Sequence, residues 1–154
     1  MKTVRLCEWR GLNCCLFRKG DFAMYTMMQI CNEADMTYQT LKYYCNEGLI
    51  PNVKRDKNNR RIFDEKDLKW IKDLVCLKKC GMSIQEMKEY LNLCLQGQSS
   101  IQQRKEMLDK KRKALLDSIE ELKGCIDYID WKQNFYDEVL AGKIPYVSNL
   151  IKVD

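Results

Sequence analysis

The stretch TYQTLKYYCNEGLIP, Thr37–Pro51, followed after six residues by NNRRIFDEKDL, Asn58–Leu68, decides how this chain is read. Thr37 is a good N-cap, because its hydroxyl can accept a backbone N–H from the first helical turn. Residues 38–47 then read as a helix, with Leu41, Tyr44 and Cys45 on one side and Gln39, Lys42 and Tyr43 largely on the other. Gly48 stops it, as glycine does at helix C-termini. Upstream, residues 27–34 (MMQICNEA) read as a short helix with Met27, Ile30, Cys31 and Ala34 on one face. Asp35-Met36-Thr37 is the tight turn between them. Two short helices around a short turn are the geometry of a helix-turn-helix. Downstream, NVKRDKNNRRIF has apolar ends, Val53 and Ile62-Phe63, around a polar centre. Asn58-Asn59 tolerates the left-handed conformation of a tight hairpin, so the segment is expected to form a β-hairpin wing.

Charge gathers on this unit. Between residues 37 and 63, six cations (Lys42, Lys54, Arg55, Lys57, Arg60, Arg61) face two acids (Glu47, Asp56), a net +4. The whole chain of 154 residues carries only +5, and residues 1–23 alone supply +3 of it. Local clustering, not the total, therefore points to a polyanionic partner. Helix formers abound and only 2 Pro and 7 Gly interrupt them, which favours a mainly helical fold.

Residues 1–23 differ from the rest. They hold Cys7, Cys14 and Cys15 and show no helical or alternating period. Lys19-Gly20-Asp21 can be encoded with a bacterial ribosome-binding sequence at a normal distance before Met24. Met24 is therefore expected to be the true start, and residues 1–23 a translated leader or disordered extension. The stretch lacks the continuous apolar run of a signal peptide, and no segment is long enough to span a membrane. A cytoplasmic protein is expected, whose nine cysteines stay reduced; the odd count argues against a closed disulfide set.

Beyond the wing, Asp64 should cap a third helix to about Lys79, with Leu68, Ile71 and Val75 inward. Ser83 should cap a fourth to about Leu95, with Glu86 completing a capping box. Residues 24–97 thus form the DNA-binding domain. After Gly97-Gln98-Ser99, a long helix is expected from about Ser100 to Ala141. In it, Leu108, Leu115, Leu122, Ile129 and Tyr136 recur every seven residues. Ile119, Ile126 and Leu140 fill the interleaved places, with Arg112 and Gln133 as polar exceptions. This heptad pattern implies a partner helix, so residues 98–141 read as a dimerisation element. Its charges nearly cancel, eight positive against nine negative, so it is not a basic DNA-binding region. Residues 142–154 are a short tail, leaving no room for a separate ligand-binding domain.

The two motifs resemble those of the MerR family of bacterial regulators, approximately TLRYYE-x-x-GLL and then NGYR-x-Y followed by an acidic residue and Asp-Leu. Thr40-Leu41-Lys42-Tyr43-Tyr44, Gly48-Leu49-Ile50-Pro51, Asn58, Arg61 and Phe63 carry the match, and it continues through Cys80–Leu91 and the long helix. Lys42 departs from the family's arginine, replacing a bidentate fork by a point charge. The resemblance implies a winged helix-turn-helix domain on a homodimer held by an antiparallel coiled coil. Its partners would be double-stranded promoter DNA, which such regulators bend and untwist, and the RNA polymerase that reads it. By position, Tyr38, Gln39 and Lys42 would contact the major groove, with Gln39 able to pair with an adenine edge. Tyr43, Lys54, Arg55, Arg60 and Arg61 would contact the backbone. The dimer seam would be Leu108, Leu115, Ile119, Leu122, Ile126, Ile129 and Tyr136.

The inducer is expected to be an aldehyde or another thiol-reactive electrophile. The stretch Asp64–Gly97 looks most like the family branch that senses such compounds through a cysteine in the third helix, and Cys76 falls on that position. Lys72 and Lys79, at i−4 and i+3, can flank the thiol and favour thiolate. Cys31, Cys45, Cys80, Cys94 and Cys125 read as packing residues. Metal sensing is the alternative. Histidine is absent, Ser99 and Ser100 stand where metal-sensing relatives carry a cysteine, and Cys76 with Cys80 would make a weak two-ligand site. No metal or cofactor is expected. An enzyme finds no nucleophile–base pair and no phosphate-binding glycine loop. A plain coiled-coil interaction protein would leave the cationic helix and wing unexplained.

Overall fold

The computed structural model describes residues 24–148 and 150; the expectation for residues 1–23, and that for the last residues of the tail, lie outside them. The chain runs β1 (Tyr25–Thr26), α1 (Met27–Glu33), α2 (Tyr38–Asn46), β2 (Lys54–Arg55), β3 (Arg61–Phe63), α3 (Glu65–Lys79), α4 (Ile84–Leu95), a 3-10 turn (Gly97–Ser100) and α5 (Ile101–Leu140).

Helices α1 to α4 each start where a side chain serves the first orphan donors, whereas α5 follows a 3-10 turn and has no side-chain cap. Thr37 Oγ1 accepts the Thr40 N–H at 3.1 Å and opens α2. Asp64 accepts the Lys66 and Asp67 N–H groups, and the Asp67 carboxylate returns the favour to the Asp64 N–H at 3.0 Å. Ser83 and Glu86 make the expected capping box of α4. α2 ends at Gly48, whose φ of +74° is a left-handed turn that costs a side-chain-bearing residue strain. Asn59, at φ +60°, turns the wing as its residue type allows.

β1 is an element the sequence reading lacks. It pairs antiparallel with β3 (Tyr25 opposite Phe63), and β3 pairs with β2, giving the order β1-β3-β2. Two residues are too few for an alternation signal, and Thr26 doubles as the N-cap of α1 in a capping box with Gln29.

Ile30, Leu41, Leu49, Phe63, Ile71, Leu74, Met82 and Met87 form the centre of the core. Such side chains stabilise a domain by about 1.5–3 kcal/mol each. On α3 the inward stripe is Leu68, Ile71, Leu74 and Leu77; Val75, expected inward, is half-buried at its edge. Trp70 donates its indole N–H to the Leu49 carbonyl at 2.7 Å, which pins the loop after α2 onto α3.

α5 is 40 residues long, about 60 Å of helix. Its first turns lie on α4, where Met107 packs against the core. None of its residues is buried. Cys125, expected to pack, is exposed, because this part of α5 has left the domain behind. Among the described residues no helix is long and apolar enough to cross a membrane.

Candidate nucleic-acid interface

α2 is anchored by Leu41 and Tyr44, both nearly inaccessible, and this decides what the opposite face shows. Tyr38, Gln39, Lys42 and Tyr43 are all exposed there. A helix buried along one stripe and lined on the other with aromatic, amide and ammonium groups can enter a major groove. All four residues expected on this face are therefore brought together on it.

The wing presents Lys54, Arg55, Lys57 and Arg60 to solvent. Its tip is held by Asp56, whose Oδ1 accepts the N–H groups of Asn58 and Arg60, each at 2.8 Å. Arg55 donates to the Asn59 carbonyl at 2.8 Å, and Lys54 reaches Asp64 at 3.5 Å, tying wing to α3 cap. Arg61 is half-buried and gives a guanidinium N–H to Asn46 Oδ1 at 2.7 Å. It thus clamps the wing to the end of α2, in addition to any phosphate contact. Asn46, Asp56 and Lys57 are the residues that reading by position left out of the site. Asp56, two residues before Asn58-Asn59, carries the usual turn signal of a short side chain that accepts nearby N–H groups. Asn46 carries none, since its partner is 15 residues away.

Cys76 lies half-buried on α3. Lys72, expected to flank it, forms an ion pair with Glu33 of α1 at 3.7 Å. Burial pushes the thiols of Cys31, Cys45 and Cys94 up; at Cys45 the Arg61 guanidinium opposes this, and at Cys94 Arg104 does. Among the described residues no group of three or more Cys, Asp or Glu could hold a metal ion.

The residues of α5 expected to form a dimer seam are solvent-exposed: Leu108 39%, Leu115 42%, Ile119 49%, Leu122 63%, Ile126 57%, Ile129 53% and Tyr136 45%.

Two family models match this chain. Residues 25–94 match the MerR HTH family regulatory protein model, and residues 67–131 the model described as MerR, DNA binding. An HTH-type transcriptional regulator of Haemophilus influenzae, itself uncharacterized, is 34% identical over 80% of this chain and 93% of its own length. The chain belongs to the MerR family. It is a DNA-binding transcriptional regulator of the MerR type, with a mainly helical fold, a small sheet-built wing and a long C-terminal helix. The crystal structure of HiNmlR, a MerR family regulator lacking the sensor domain, bound to promoter DNA, is similar with a TM-score of 0.66 and 34% identity, covering 77% of this chain and 90% of that one. The HTH-type transcriptional regulator AdhR of Bacillus subtilis is 37% identical over 58% of this chain and 64% of its own length.

Proposed function

We propose that this MerR-type regulator acts as a homodimer on a pseudo-palindromic promoter in the bacterial cytoplasm and realigns it for RNA polymerase when a thiol-reactive electrophile, of the aldehyde class, modifies Cys76. In this reading Tyr38, Gln39 and Lys42 enter the major groove, and Tyr43, Lys54, Arg55, Arg60 and Arg61 hold the backbone. The wing gains the exposed Lys57 as a further backbone contact.

The observation that carries the dimer is the apolar stripe of α5, whose residues stay 39–63% exposed among the described residues. A stripe of this length exposed to water is a surface made for a second helix. The charge along α5 supports an antiparallel pair. Residues 101–116 hold six cations and two acids, net +4, whereas residues 117–140 hold two cations and seven acids, net −5. Antiparallel pairing sets each cationic half beside an acidic one; parallel pairing sets like against like.

The inducer reading rests on Cys76, half-buried on α3, a helix that shares its core with α2. The similarity to a MerR regulator lacking the sensor domain fits a sensor housed in these helices themselves.

Footprinting on the DNA beside its own gene, with and without an aldehyde or diamide, tests the whole reading. The expected result is a protected site of two half-sites and transcription that rises with the electrophile. A Cys76→Ala protein should keep the footprint and lose the response. Normal induction of that variant would remove Cys76 from the sensing role.

A further inference from the structure

The N-terminal half of α4 is tied on two sides. Towards α5, Lys111 Nζ lies 2.7 Å from Glu86 Oε1 and donates to the Gly81 carbonyl at 3.2 Å. Towards α2, Lys88 Nζ lies 2.7 Å from Glu47 Oε2, and Glu47 is the C-cap of that helix. These side chains are only 22% and 34% exposed in the first pair and 35% and 31% in the second. Charge-assisted bonds this short, on side chains mostly withdrawn from water, fix geometry better than open surface pairs do.

Glu86 has two duties. Its other oxygen accepts the Ser83 N–H at 2.8 Å, closing the cap of α4. The hydrogen bond from Lys111, then that from the Ser83 backbone, hold its carboxyl down at about 2. The far end of α4 meets α5 as well: Arg104 donates to Cys94 Sγ at 3.8 Å and to the Gly97 carbonyl, in the 3-10 turn just beyond α4, at 2.8 Å. α4 is thus held by α5 near both ends, by Lys111 and Arg104, and its Lys88 grips the end of α2.

We propose that α4 is the joint through which α5 sets the pose of α2, and that Lys111 and Lys88 are its positioning residues. Lys111 ties α5 to the first turn of α4, and Lys88, on the next turn, ties α4 to the end of α2. The proposal rests on the dimer reading above, because a fixed pose matters once two copies read one site. The distance between two recognition helices then follows from the angle each DNA-reading half makes with α5. Losing one ammonium loosens its tie while the shared core of Leu41, Tyr44 and Met87 remains, and removes no residue of the face of α2 proposed to read DNA.

The test uses the full chain and its footprinted operator, rebuilt with the half-site spacing lengthened or shortened by one or two base pairs. Wild type should lose roughly tenfold or more in affinity per misplaced base pair, the order of a mismatched contact. Lys111→Gln and Lys88→Gln should flatten this to about threefold or less, and Lys111→Arg should restore the steep dependence. Variants that keep the wild-type spacing dependence overturn the proposal. So does an equal loss at every spacing, which a merely structural role would give. A wild type indifferent to spacing overturns the dimer reading itself, and sedimentation of each protein separates the two failures.

Discussion

At the scale of single residues, the face of α2 proposed to read DNA is defined by what is not available for burial. Leu41 and Tyr44 are drawn into the core, so Gln39, Lys42 and Tyr43 have only the outward side. The period of the helix makes that legible in sequence. Gln39 carries the sharpest expectation. A glutamine bonded to an adenine edge is worth about 1–3 kcal/mol of discrimination. Gln39→Ala should therefore weaken binding to the preferred operator and leave binding to a scrambled duplex nearly unchanged, as read by fluorescence anisotropy on both. An equal loss on both duplexes would make Gln39 a non-specific contact. Arg61 shows where position alone falls short. Its charge and place in the motif read as a phosphate contact, and its bond to Asn46 depends on two segments meeting in space. Lys72 is similar: spacing sets it beside Cys76, and the packing of α1 against α3 supplies Glu33 as its partner.

At the scale of elements, capping explains why the helix boundaries were readable. Thr37, Asp64 and Ser83 each sit one residue before the helix they start, and each accepts the N–H groups it should. β1 was not readable, because it has no pattern of its own and exists through β3. α5 offers the cleanest element-scale experiment. Leu122 is 63% exposed among the described residues, so Leu122→Lys removes little intrachain packing. It places a cation in the seam of each copy. The variant should sediment as a monomer, keep the helical circular dichroism of the DNA-reading half, and lose cooperative binding to a two-half-site duplex. A Leu122→Lys protein that remains a dimer would show that the seam is elsewhere.

At the scale of the molecule, the proposed dimer would combine two oppositely charged halves of α5 with a cationic helix and wing in each copy. Both charge contrasts are screened by salt. Raising salt from about 50 to 200 mM should weaken DNA binding steeply, by a factor set by the number of phosphates neutralised. The dimer should weaken far less over the same range, because its apolar seam is insensitive to ionic strength; salt titrations of operator binding and of sedimentation measure the two slopes. A dimer as salt-sensitive as the DNA complex would mean that charge, not the seam, holds it. The sequence by itself determined the helices, the turn and wing chemistry, the face of α2 and the heptads of α5, and with them the family. Each of these is a local period or a local hydrogen bond, written in residues a few places apart. Only the tertiary structure decided the third strand, the Arg61–Asn46 clamp and the two ammonium ties on α4. Those contacts join residues 15 to 41 positions apart, and no local pattern specifies which distant acceptor a long cationic side chain will reach.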